Sequence, residues 1–138
     1  MLGNQAVEFL RTRDKSKPFC LQVSFKAPHV EGNNKIHNGY VYSPFYENYY
    51  GREVIPASPT ADSSFYLSFP ELFRLNTKGI ANEARVRWQQ RFSTPAKYEE
   101  SVKSYFRLIT GMDGAVKRIV DELTKNGLEK KYSHYILK

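Results

Sequence analysis

The amino-acid sequence predicts an α/β chain with two strands, a long irregular excursion between them and one long helix. Three observations predict it. Phe19, Leu21, Val23 and Phe25 alternate with Cys20, Gln22 and Ser24, which is the side-chain period of a strand. Residues 95–126 repeat apolar side chains at steps of three and four, which is the period of one helix face. Tyr132 to Leu137 then reads as a second short strand. The order helix, strand, excursion, helix, strand is the alternation of an α/β protein.

The first element is a short amphipathic helix over residues 3–13. Leu2, Ala6, Phe9 and Leu10 share a face, and Arg11 and Arg13 lie near its end, where cations suit the helix dipole. Asp14 to Lys17 is a polar break. Pro18 opens the first strand. Its second face is small or mildly polar, which fits a strand covered on both sides of a sheet. Pro28 stops it, because proline donates nothing to a central ladder.

Residues 30–93 are punctuated by Gly32-Asn33-Asn34, Asn38-Gly39, Pro44, Gly51, Pro56, Pro59 and Pro70. Such a stretch reads as a chain of turns. Its many aromatics, including Tyr40, Tyr42, Phe45, Tyr46, Tyr49 and Tyr50, predict order rather than disorder. They line a sugar or aryl cleft by stacking or simply pack the excursion. A short helix is expected near Glu83–Arg91.

The long helix starts with Thr94 as N-cap and Pro95 at the first helical position. Its predicted buried stripe is Tyr98, Val102, Tyr105, Ile109, Met112, Val116, Ile119 and Leu123. Gly127 is the expected C-cap.

Composition narrows the function classes. The chain has 138 residues, 41% hydrophobic and 25% charged, with ten Tyr, nine Phe and a net charge of +7. Acidic residues interrupt every basic stretch. A nucleic-acid face needs clustered charge, so no nucleic-acid partner is expected. No apolar run reaches membrane-spanning length, so no membrane partner is expected either. The start, Met1-Leu2-Gly3-Asn4-Gln5, has no basic n-region or apolar h-region of a signal peptide. Cys20 is the one cysteine. It sits between Phe19 and Leu21 and reads as a buried, inert thiol. His37 and His134 lack metal-ligand spacing and read as surface or core polar residues. No metal site is expected from these residues.

Two strands are too few for a stable open sheet, and the helix stripe needs more surface than the chain offers. The expectation is an internal piece of a larger domain, with a missing complementary segment.

The chemistry-bearing stretch is Lys17-Pro18-Phe19-Cys20-Leu21-Gln22-Val23-Ser24-Phe25-Lys26-Ala27-Pro28-His29. It delivers Lys26 and His29 to the loop beyond a strand's C-terminal end, where α/β sheets bind ligands. Both side chains can donate to an anion. On composition alone they are equally a surface lysine and a loop histidine.

This stretch resembles the sulfatase family of the alkaline-phosphatase-like superfamily, whose members commonly show K-P-F-F-L followed by A-P-H or R-P-H. A second stretch, Tyr98 to Asp113, is similar to the family's helix of the type vk-x-Y-Y-r-l-I-t-g-x-D. Its continuation runs through Val116-Lys117-Arg118-Ile119 and Leu123 to Gly127-Leu128. Trp88 to Phe92 also resembles bacterial arylsulfatase-like members. The two stretches stand in the family's order and together cover most of the chain.

The resemblance implies a partial alkaline-phosphatase-like αβα sandwich, with residues 1–138 forming the central portion of one sulfatase domain. It implies that His29 is the catalytic and substrate-binding residue, donating to a sulfate oxygen and assisting the leaving group. Lys26 becomes a substrate-binding rim contact. Asp113 matches a family position on the helix, but on its own chemistry it reads as a cap or a strand-anchoring hydrogen bond. It implies an aryl or carbohydrate sulfate ester as substrate, with calcium and formylglycine as cofactors, in proteins that are often exported or periplasmic.

The departures are equally specific. Glu31 stands where a proline often follows the P-H pair, Lys117 replaces a glycine, and Lys130-Lys131-Tyr132 replaces a D-N-T turn. The formylglycine context C/S-x-P-x-R is absent, because Cys20 is followed by Leu21 and Gln22. The paired Asp ligands of calcium are absent too. The expectation is a sulfuric ester hydrolase fragment that supplies part of a sulfate-binding wall and is inactive alone. The alternatives are a fragment of a related phosphomonoester or phosphodiester hydrolase, and a non-catalytic anion- or partner-binding module.

Overall fold

The structure, a computed structural model, describes residues 2–32, 34, 36–74 and 83–132. It contains helix α1 (Leu2–Thr12), 3-10 turns at Ile36–Gly39 and Pro44–Tyr46, α2 (Ser63–Ser68), α3 (Glu71–Arg74), α4 (Glu83–Arg91) and α5 (Pro95–Lys125). The described residues form two compact units, one from within 1–28 and 109–138 and one from within 29–108.

The α/β expectation is corrected here. Among the described residues there are helices, turns and extended chain, and no strand. The two-stranded, partial αβα sandwich is therefore not the architecture. Residues 19–25 do alternate, but the second face is not covered as expected: Phe19, Leu21, Val23 and Phe25 are half-buried, while Cys20, Gln22 and Ser24 are exposed. A strand, however, is defined by a ladder to a neighbour, and no described segment pairs with this one. The alternation reports a segment lying with one face down, which needs no sheet. The expected second strand falls on residues outside the described set, apart from Tyr132. Cys20 is exposed rather than buried, because it points to the open side of the alternation.

The first unit has an apolar centre. Leu10, Leu123 and Leu128 are buried together, with Phe19, Leu21, Ile119 and Tyr132 packed on them. α1 buries Gly3, Ala6 and Leu10, spaced as one helix face. A Cβ at Gly3 would stand 3.0 Å from the Ala115 Cβ, so glycine there lets α1 approach α5 closely. Phe19 stacks between Phe9 and Tyr132, at centroid distances of 5.7 and 4.4 Å. Arg11 of α1 pairs with Glu122 of α5 at 2.9 Å.

α5 runs 31 residues and begins and ends as expected. The Lys97 N–H donates to the Thr94 hydroxyl at 3.2 Å. At the other end Gly127 takes φ +66°. The Leu128 N–H donates to the Leu123 carbonyl at 3.0 Å and the Gly127 N–H to that of Thr124 at 2.9 Å. This is a Schellman motif, with its usual apolar contact supplied by Leu123 and Leu128.

In the second unit the buried face of α5 is not the predicted stripe. Ser101, Lys103, Ser104, Arg107 and Leu108 are buried there, whereas Tyr105 is exposed and Tyr98 half-buried. The excursion explains the difference. It is turn-rich chain that presents carbonyls to α5 as well as aromatic rings. Lys103 Nζ donates to the Gly51 carbonyl at 3.3 Å and Arg107 Nε to the Tyr49 carbonyl at 3.1 Å. These part-buried bonds place the donor groups of two buried helix side chains on carbonyls of the excursion. The expected helix near residues 83–91 is present as α4. Trp88 on α4 stacks on Tyr66 of α2 with centroids 4.5 Å apart.

Candidate functional site

Lys26 is exposed at the end of the extended segment, in the first unit. His29 is exposed at the start of the second. The His29 Nδ1 lies 2.7 Å from the Val30 carbonyl oxygen. A carbonyl oxygen only accepts, so the ring proton is on Nδ1 and the hydrogen bond sets the ring's orientation. Nε2 takes no part in that bond. In the neutral ring it is an acceptor, and only the protonated ring donates from it to an anion.

The excursion carries a second group of polar side chains around Tyr42 and Arg107, both buried. Arg107 Nη1 donates to the Tyr42 hydroxyl at 3.1 Å and to Glu100 Oε1 at 3.2 Å. Its guanidinium also sits over the Tyr42 ring at 5.0 Å. The Ser104 hydroxyl donates to Glu100 Oε1 at 2.8 Å. The Tyr42 hydroxyl meets His37 Nδ1 at 3.0 Å, while His37 Nε2 faces Glu47 Oε2 at 3.7 Å and Nδ1 lies 3.5 Å from Glu100 Oε1.

Tyr42 accepts from Arg107, so its own proton is free to go to His37 Nδ1. Burial pushes the Tyr42 phenol up, and the Arg107 charge opposes that rise. Tyr40 is shifted the same way, by burial against the charge of Arg91. These groups have acid–base chemistry, but they spend it on one another. The cluster holds the excursion to α5. From the sequence His37 reads as a surface or core polar residue, and Arg107 carries no assigned role. The available signal was the serine pair Ser101 and Ser104, a turn apart, with Arg107 beyond.

The aromatics of the excursion pack largely on one another. Phe45, Tyr46 and Tyr49 meet at 5.0, 5.2 and 6.2 Å, and Tyr50 meets Phe106 at 5.6 Å. Asp113 is exposed, and His134 lies outside the described residues. No described helix is long and apolar enough to cross a membrane.

A family model described as Sulfatase matches residues 2–133. The chain belongs to the sulfatase family. The match includes both the Lys17–His29 stretch and the α5 stretch. No curated protein and no solved structure matches the chain.

Sulfatases are hydrolases of sulfate esters and generally use calcium and formylglycine. The residues described in this sulfatase-family chain do not fit either group. Among them no cluster of three or more His, Cys, Asp or Glu can hold a metal ion. Cys20 is exposed and is followed by Leu21 and Gln22, so it lacks the proline and arginine context of a formylglycine precursor.

Proposed function

We propose that this sulfatase-family chain contributes one contact of a sulfate-ester site through His29 and does not by itself carry out hydrolysis. One observation carries the reading. His29 is exposed, its Nδ1 is tied to the Val30 carbonyl, and Nε2 is the ring nitrogen left for an anion. A charge-assisted hydrogen bond from a protonated ring is worth about 1.5–3 kcal/mol, enough for a measurable contribution from one side chain. Lys26 is proposed as a weaker rim contact from its spacing in the sequence alone. Hydrolysis needs an attacking oxygen and a charge clamp on the sulfate, and the residues described supply neither.

Inorganic sulfate titrated into the full chain tests the reading. Wild type is expected to bind saturably and His29→Ala to lose most of that binding. Equal binding by both proteins refutes the role of His29. Release of a phenol from an aryl sulfate by the pure chain, with or without calcium, refutes the claim that it is inactive alone.

A further inference from the structure

The backbone that carries His29 is fixed from behind. The Glu31 N–H donates to the Gly39 carbonyl at 2.8 Å, and the Asn34 N–H to the Glu31 carbonyl at 2.9 Å. Gly39 takes φ +91°, and a Cβ there would stand 3.0 Å from the Glu31 carbonyl oxygen. Glycine is therefore needed both for the backbone conformation and for the close approach.

Next to Gly39, three residues close a ring of hydrogen bonds. Arg91 Nε donates to the Asn38 carbonyl at 3.2 Å. Asn38 Nδ2 donates to the Ser101 hydroxyl at 3.1 Å. The Ser101 hydroxyl donates to the Arg91 carbonyl at 3.1 Å. Ser101 is 1% exposed and Arg91 7%. The ring joins the last residue of α4, the 36–39 turn and the first half of α5.

Arg91 is an unusual choice for a purely structural strut. Its guanidinium lies over the Tyr40 ring at 5.5 Å, yet Nη2 is buried with no hydrogen-bond partner among the described residues, which is a cost. His37 and Asn38 both take left-handed φ, at 47° and 57°, which is uncommon for residues with side chains. An arrangement that keeps such features is over-determined by its surroundings, as functional loops are.

We infer that the Arg91–Asn38–Ser101 ring is a positioning device for His29. It fixes Gly39, Gly39 fixes Glu31, and Glu31 fixes the Val30 carbonyl that orients the imidazole. Ser101 and Arg91 are positioning residues: they touch no anion and act through the loop. This rests on the reading of His29 as a sulfate contact.

The experiment uses the full chain, labelled with nitrogen-15, and inorganic sulfate as the probe. Ser101→Ala is expected to weaken sulfate binding about fivefold, the factor one ordinary hydrogen bond carries. On a His29→Ala background the same substitution is expected to change nothing further. The His29 Nδ1 proton, hydrogen-bonded to Val30, gives a sulfate-independent signature. It is expected to be sharp in wild type and broadened in Ser101→Ala.

Unchanged affinity with an unchanged Nδ1 proton signal overturns the inference, as does an equal loss of affinity on both backgrounds. If Ser101→Ala does not fold, Arg91→Lys, which removes the Nε donor but keeps the charge, is read the same way. If wild type and His29→Ala bind sulfate alike, the reading of His29 fails. The Nδ1 proton alone then judges the ring, and its persistence in the variant overturns it.

Discussion

Replacing Arg107 with methionine tests whether the second unit is held by its buried polar cluster. The substitution keeps the stem and removes the guanidinium. Three hydrogen bonds disappear, to the Tyr49 carbonyl, the Tyr42 hydroxyl and Glu100, along with the stacking on Tyr42. Breaking a fully buried charge pair costs about 3–5 kcal/mol. The loss here is expected to be smaller, for reasons visible at each partner. The Glu100 side chain is 41% exposed, so water re-solvates it and Ser104 still donates to it. The Tyr42 hydroxyl keeps its contact with His37. Tyr49 is itself exposed. What remains is about one charge-assisted hydrogen bond plus a cation–π contact, or about 2–3 kcal/mol. Urea unfolding followed by the fluorescence of Trp88, the single tryptophan and a member of this unit, reads the change. Arg107→Lys is expected to lose nearly as much, because an ammonium cannot make the same fork of contacts. A stability loss below about 0.5 kcal/mol in Arg107→Met, the size of an ordinary surface substitution, refutes the reasoning.

Two further predictions concern the first unit. Leu10 is fully buried in its apolar centre, so Leu10→Ala is expected to cost about 3 kcal/mol in urea unfolding read by circular dichroism; a loss under about 1 kcal/mol means that this centre is not what holds the unit. The hydrogen bond from Arg11 holds the Glu122 carboxyl below its ordinary value, aided by Asn126 and by the charges of Arg11 and Lys125. A lowered folded-state value stabilises above the unfolded glutamate's value, and that contribution is lost as pH falls through the folded value. Arg11→Met is therefore expected to be less stable than wild type at neutral pH and to converge on it in strong acid, and a gap that widens on acidification contradicts the linkage.

Local signals were legible in the sequence where they are set by neighbouring residues. Thr94-Pro95 and Gly127 bound α5 because capping is local chemistry, and Glu83–Arg91 is a helix as read. The period-two spacing of residues 19–25 locates their half-buried face, but the expected cover on the other face is missing, with Cys20, Gln22 and Ser24 exposed. One face down is a property of a segment, and a ladder is a property of two. The buried face of α5 was misread for a related reason. Apolar spacing marks a helix packed on apolar side chains, but within residues 101–108 Ser101, Lys103 and Arg107 donate to backbone carbonyls and Ser104 to the Glu100 carboxylate, so polar side chains hold the buried positions. His29 and Lys26 are singled out by the family resemblance, and their proposed roles await the sulfate titration. The ring behind Gly39 was not legible at all, since Asn38, Arg91 and Ser101 are far apart in the chain and ordinary in composition.

The two units differ in what holds them, and the difference bears on the role proposed for His29. The first relies on leucines packed at Leu10, Leu123 and Leu128. Such packing stabilises strongly but is not directional. The second has few buried apolar side chains and many directed hydrogen bonds through Arg91, Ser101, Ser104 and Arg107. Their net contribution per bond is small, but each one fixes an angle as well as a distance. Under the role proposed for His29, presenting one nitrogen to an anion gains more from fixed angles than from added stability. His29 lies at the start of the unit built that way, and the described part of the loop that follows it is tied by the Glu31–Gly39 and Arg91–Asn38 hydrogen bonds and by the Arg91 guanidinium over the Tyr40 ring.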